Sequence, residues 1–215
     1  GAHSPSPDTK RAANFIRIGD NVFFACYPRF AGFKNLLDLI RLQLSRQQLE
    51  VMAMSTICCI IGTRPEAIKM APVILKLKER GLSCFVLATG QHTDLLTQAL
   101  RTFNITPDRD LSIMRERQSL DYITSAVLTK AGEVLDDVKP KVVLVHGDTT
   151  TTFASALASF YRKIPVGHVE AGLRSGNLYL PFPEEANRIM VDKLATFWFA
   201  PTEIAKNNLL KEGCD

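Results

Sequence analysis

Short apolar runs at 57–61, 84–88, 141–146, 164–169 and 197–200 alternate with longer stretches of helical spacing, and this alternation leaves few folds open. Runs this short, with no polar alternation, read as strands buried on both faces. Stretches near 66–80, 92–103, 118–137, 150–162, 183–195 and 202–212 supply the intervening helices. Repeated strand–helix–strand units build a parallel sheet covered on both sides, so an α/β, Rossmann-like three-layer fold is expected. A weaker strand is expected at DLSIM, residues 110–114. Ligands of such sheets gather beyond the carboxyl ends of the strands, which makes the residue after each apolar run a candidate for function.

Residues 1–54 look like different material from residues 55–215. GAHSPSPDTK reads as a cloning remnant or a disordered tail. FIRIGDNVFFACY predicts a hairpin around GDN, and FKNLLDLIRLQLSRQQLE predicts an amphipathic helix with Leu37, Ile40 and Leu44 on one face. The regular domain is expected to begin near Met54, at MSTICCIIGTRPE.

Charge and cysteine usage exclude several functions. The first 54 residues carry seven Lys/Arg against four Asp/Glu, while the remainder is nearly balanced at 19 against 18. The main body therefore offers no basic stripe for nucleic acid. No apolar run reaches the roughly 18 residues that a membrane helix needs. Cys26, Cys58, Cys59, Cys84 and Cys214 form neither a CxxC pair nor a zinc spacing. They read as reduced thiols, and a cytoplasmic protein is expected.

Three strand exits and one helix start carry chemistry-bearing residues. In GTRPEAIKMAP (62–72), Gly62 permits a tight exit, Thr63 and Glu66 have capping-box spacing, and Pro65 suits the first turn. Capping explains those residues but not Arg64, a forked donor placed where a helix N-terminus already attracts anions, nor Lys69 one turn on. In VVLVHGDTTTTFASAL (142–157), Asp148 either caps the following helix or faces the crevice, and His146 reads as a hydrogen-bonded core histidine. In VGHVEAGLRSG (166–176), Glu170 either pairs with Arg174 or serves the crevice. In PFPEEANRIM (181–190), Pro183 starts a helix whose first turn holds Glu184 and Glu185, and Glu184 and Arg188 have i,i+4 spacing. Taken together, three carboxylates and at least two cations emerge at positions that the topology could bring to one rim. That set suits a phosphorylated or nucleotide-linked small molecule modified by proton transfer.

GTRPEAIKMAP, TGQH, VLVHGDTTTTFA, GHVEAGLRSGN, PFPEEANR and FAPTEIAKNNLLKEG, in this order, resemble the non-hydrolysing UDP-N-acetylglucosamine 2-epimerase family from about residue 55 to the end. The resemblance covers that family's N-terminal lobe. It implies a glycosyltransferase-B-like fold whose active site lies in a cleft between two Rossmann-like lobes. It further implies interconversion of UDP-N-acetylglucosamine and UDP-N-acetylmannosamine by loss and return of UDP through 2-acetamidoglucal, with no nicotinamide and no metal. By motif match, Asp148, Glu170 and Glu184 would be acid/base carboxylates, and Arg64, Lys69 and Arg188 would belong to the substrate site. Gln91 and Arg117 match positions linked with a second UDP-N-acetylglucosamine bound as activator, although Asp94 stands where relatives often carry another polar residue. The family also implies a homodimer. Its C-terminal lobe, which would hold most of the UDP and add a catalytic histidine, has no counterpart in these residues, so this chain alone is expected to be inactive. Two other readings stay open: a glycosyltransferase-B enzyme that passes the sugar to an acceptor, and a non-catalytic lobe.

Overall fold

The computed structural model describes residues 14–18, 21–26, 56–90, 93–113, 115 and 117–214. The expected N-terminal tail, the helix over FKNLLDLIRLQLSRQQLE and the start at Met54 lie outside these residues. In chain order the elements are β1 (Asn14–Ile18), β2 (Asn21–Cys26), β3 (Ile57–Ile61), α1 (Arg64–Glu79), β4 (Cys84–Ala88), α2 (Thr93–Thr102) and β5 (Arg109–Asp110). They continue with α3 (Leu120–Val138), β6 (Val142–His146), α4 (Thr150–Tyr161), β7 (Val166–Val169), α5 (Glu184–Leu194), β8 (Phe197–Ala200) and α6 (Glu203–Lys211).

One sheet holds all eight strands in the order β1-β2-β8-β7-β6-β3-β4-β5. The six strands from β3 to β8 run parallel, and the β1–β2 hairpin lies antiparallel against β8. Alternation along β3 sorts the core into two layers. Cys59 and Ile61 face α1 and α2, whereas Cys58 and Ile60 face the layer of α3 and α4. The two adjacent cysteines thus point to opposite faces, as the strand period requires. A third small cluster of Ala171, Ala200, Ala205 and Leu209 seats α6.

The strand expected at 110–114 is shorter and begins earlier, at Arg109–Asp110. Asp110 explains the stop: its Oδ1 accepts the Ser112 amide at 2.8 Å and Ser112 turns at φ +47°, so regular pairing ends. The amides of Leu111 and Ile113 still bond to Ala88 O and Thr89 O at 2.9 and 3.2 Å. Among the described residues, no helix is long and apolar enough to cross a membrane.

The order of strands fixes where a ligand would sit. From β3 the chain moves outward through β4 to β5, then returns to β6 on the other side of β3. The crevice between the exits of β3 and β6 is therefore the topological switch point, where open α/β sheets bind their ligands.

Candidate active site

The two loops at the switch point are tied by one buried carboxylate. Glu66, in the first turn of α1, accepts the amides of Gly62 and Thr63, the latter at 3.2 Å, and also the Thr149 hydroxyl at 2.8 Å. Burial is the main influence on Glu66 and raises its pKa, against the lowering effect of these donors. The capping box expected from sequence is present at Thr63 and Glu66. The bond to Thr149 adds a bridge between strand exits that the spacing could not reveal. Arg64 opens α1 at this edge, is exposed, and makes no ion pair among the described residues.

Thr149, not Asp148, caps α4: its hydroxyl accepts the Thr152 amide at 3.1 Å. Asp148 is instead drawn to Arg188 of α5, which donates to its carboxylate. The Asn187 side chain holds the Asp148 carbonyl at 2.9 Å, so the first turn of α5 lies against the β6 exit. Arg188 also stands 3.3 Å from Glu185, replacing the i,i+4 contact with Glu184 expected from spacing. Glu185 is buried because its other oxygen accepts the amides of Ser175 and Gly176 at 2.9 and 3.3 Å, which pins the loop after β7. Glu184 remains half-buried at the start of α5, its carboxylate with no hydrogen bond or ion pair among the described residues. The Arg188 Nε is buried and has no acceptor among them.

Glu170 follows β7 and accepts a hydrogen bond from Lys69 of α1. Of the two alternatives for Glu170, the pair with Arg174 does not form, because Arg174 is engaged by Asp192 at 2.8 Å and by Glu212 at 2.7 and 2.8 Å. His146 lies behind Glu170, its Nε2 3.6 Å from the carboxylate and its Nδ1 buried without a partner among the described residues. It is a core histidine, as expected. Burial alone would raise the Glu170 pKa; His146 and Lys69 outweigh it and hold the group down to about 2. Glu170 also sits at φ +71°, a left-handed backbone that an L-residue adopts at a cost of about 1–2 kcal/mol. Its amide and that of Ala171 both bond to Phe199 O, at 3.0 and 3.2 Å, which holds the turn. Strain of this kind gathers where a side chain must be aimed rather than merely accommodated.

The low pKa has a consequence for acid stability. A carboxyl held below its ordinary value of 4.5 stabilises the native state fully above that value, and the contribution fades as pH falls toward 2. The stability difference between wild type and Glu170→Gln, read by thermal unfolding, is expected to be largest near pH 7 and to shrink between about pH 4.5 and 2. A difference that stays constant over this range would show that the ionised pairing adds nothing.

Sequence reasoning missed Glu185, the cross-tie of Glu66, and a buried pair formed by His168 and Asp192. His168 is the polar interruption of an apolar strand, which was the available signal. Gln91 lies outside the described residues. Arg117 is exposed, at φ +51°, and no described contact brings it to the cluster.

An edge of a parallel sheet that gathers acids and cations at its switch point defines a Rossmann-like lobe suited to an anionic substrate. The chain belongs to the UDP-N-acetylglucosamine 2-epimerase family, whose model matches residues 75–215. It is 58% identical over 154 residues to the UDP-N-acetylglucosamine 2-epimerase of Bacillus subtilis strain 168, covering 71% of this chain and 40% of that protein. The Neisseria meningitidis enzyme is also 58% identical over 154 residues, covering 71% of this chain and 41% of that protein. The crystal structure of the Neisseria meningitidis enzyme bound to UDP-GlcNAc superposes with a TM-score of 0.72 at 55% identity, over 74% of this chain and 43% of that one. A Methanocaldococcus jannaschii enzyme in complex with UDP-GlcNAc and UDP gives 0.70 at 40% identity, over 74% and 43%. The chain thus spans about 40% of the length of the curated relatives it matches.

Proposed function

We propose that this chain forms one half of the active site of an enzyme that interconverts UDP-N-acetylglucosamine and UDP-N-acetylmannosamine. One observation carries the reading: Lys69–Glu170 and Arg188–Asp148, from four separate elements, meet at the carboxyl edge beside the switch point.

The reaction asks for what these residues can supply. A base removes the C2 proton, the C2–H electrons form a C1–C2 double bond, and the C1–O bond to UDP breaks with its electrons on the departing phosphate. Return of UDP to C1, with protonation of C2 on the opposite face, completes the inversion. Glu170, ionised throughout the neutral range, can accept a proton but has none to give. Asp148 and Glu184 complete the set of acid/base carboxylates in this proposal. Arg64, Lys69 and Arg188 neutralise charge developing on the diphosphate or hold the sugar. The unsatisfied Arg188 Nε supports such a role, since a buried donor without an acceptor is unfavourable unless a ligand oxygen meets it. Neither nicotinamide nor metal takes part. Gln91 and Arg117 belong to the same proposal as contacts for a second substrate molecule acting as activator, as do a homodimeric whole enzyme and a cytoplasmic location.

The test is incubation of a whole-length enzyme carrying this lobe with UDP-N-acetylglucosamine in heavy water. Deuterium at C2 together with formation of the manno epimer is expected. Transfer of the sugar to an added acceptor without C2 exchange would replace this reading with a transferase. This chain by itself is expected to show no turnover and, by calorimetry, to bind UDP-N-acetylglucosamine in the millimolar range or not at all, because one lobe leaves the sugar open to water.

A further inference from the structure

Directly beneath the two acid-bearing turns lies a charged chain that the proposed chemistry does not use. His168 is fully buried in the middle of β7. Its Nδ1 is 2.6 Å from Asp192 Oδ1 of α5, and its Nε2 is 2.7 Å from the carbonyl oxygen of Gly147. The second oxygen of Asp192 accepts the Gly172 amide at 3.1 Å and lies 2.8 Å from Arg174, which in turn forks onto Glu212. Lys193 donates to the Glu212 carbonyl at 2.7 Å and closes the chain at the surface.

The hydrogen-bond chemistry assigns the protons. A carbonyl oxygen can only accept, so Nε2 donates to Gly147. Asp192 already takes donors from Arg174 and Gly172; burial pushes its pKa up, but His168 and then Arg174 outweigh this and hold it below the usual carboxylate range. It therefore stands as an acceptor toward Nδ1 as well, and both ring nitrogens carry hydrogens. Both bonds are short, as expected where a charged partner is involved.

What these bonds hold is specific. Gly147, at φ +72°, is the residue before Asp148, and its carbonyl belongs to the same peptide unit as the Asp148 amide. Gly172, at φ +83°, closes the turn that begins at Glu170. A Cβ at Gly172 would come within 2.2 Å of Ala205 O, so this turn is confined from outside as well. Resting on the epimerase reading above, we propose that His168 is a positioning residue: one buried side chain grips the turn of Asp148 directly and, through Asp192, the turn of Glu170. The spacing between the two carboxylates is then set from inside the sheet, not by the substrate. A fixed spacing of reacting groups is worth orders of magnitude in rate, and small displacements forfeit it.

Two amide substitutions separate positioning from packing. His168→Gln keeps a donor near the place of Nε2, facing Gly147; His168→Asn keeps one near the place of Nδ1, facing Asp192. In a whole-length enzyme carrying this lobe, His168→Asn is expected to lower kcat for C2 exchange by about thirtyfold or more, with KM changed less than about threefold. His168→Gln is expected to recover to within about fivefold of wild type. Equal losses in both variants, or a better rate in His168→Asn, would overturn the proposal and leave His168 as filler of a charged core. Two readouts on this chain do not depend on turnover. The carbonyl carbon resonance of Gly147 should shift in His168→Asn and stay near its place in His168→Gln. In the unaltered chain, long-range proton–nitrogen spectra should find hydrogen on both ring nitrogens. A bare Nε2, or a Gly147 carbonyl indifferent to His168→Asn, sinks the idea. Should the unaltered whole-length enzyme exchange no C2 hydrogen, the epimerase reading fails separately, and the Gly147 resonance still decides the role of His168.

Discussion

Replacing Glu170 by glutamine in a whole-length enzyme carrying this lobe is expected to slow exchange of the C2 hydrogen by about a hundredfold or more. Glutamine keeps nearly the same shape and can still receive a hydrogen bond from Lys69, so the substitution removes little but the ability to hold a negative charge and take a proton. The setting of Glu170 makes that charge available: His146 and Lys69 keep it ionised despite burial. Asp148→Asn is expected to act similarly, with part of its effect passing through Arg188, whose partner it weakens. Measured side by side, Glu170→Gln should lower kcat with little change in KM, as loss of a transition-state function does. Glu79→Gln, at the exposed far end of α1, serves as the matched control and should exchange at the wild-type rate. If Glu170→Gln retains a rate within about threefold of wild type, Glu170 is only the structural partner of Lys69.

The sheet was legible in the sequence because its signal is local. ICCII, CFVLA and VVLVH are short, apolar but for the terminal His146, and bounded by turn residues, and the structure returns them as largely buried parallel strands at 57–61, 84–88 and 142–146. The positions of Arg64, Asp148 and Glu170 at strand exits were equally readable, since they lie three, two and one residues past the ends of such runs. Partners were not readable. Proximity in sequence offers Arg174 to Glu170 as one alternative, yet Arg174 belongs to Asp192 and Glu212, which lie 18 and 38 positions further along. Helical spacing offers Arg188 to Glu184, yet Arg188 belongs to Asp148 and Glu185. In both cases a partly buried cation went to a carboxylate brought by tertiary packing. Desolvation makes the value of an ion pair depend on its surroundings, and spacing carries no information about those. The bounds of β5 differ from those expected for another reason: DLSIM has an apolar pattern, but the Asp110–Ser112 turn cuts the strand to Arg109–Asp110.

The same dependence on surroundings makes Asp192→Leu the substitution with the largest expected effect on stability. Asp192 has no exposed surface, and the two cationic or proton-bearing groups it meets, His168 and Arg174, are themselves buried or nearly so. Removing it leaves His168 Nδ1 and one side of Arg174 in the interior with no acceptor, and takes the Gly172 amide's partner as well. Breaking a buried pair by deleting one member destabilises by about 3–5 kcal/mol, more than deleting both members and refilling the space with apolar groups. Urea unfolding of this chain should therefore show Asp192→Leu losing about 3–5 kcal/mol, with the double variant His168→Leu/Asp192→Leu recovering part of that loss. Arg174 would still hold Glu212 in the double variant, so recovery should be incomplete. The comparison separates two sources of stability: if the double variant is as unstable as the sum of the singles, His168 and Asp192 are uncoupled and the charged chain beneath the active edge is only a set of neighbours. A strongly non-additive result means that the interior charge exists as a unit, and the strand exits carrying Asp148 and Glu170 are then anchored to one indivisible piece of the fold.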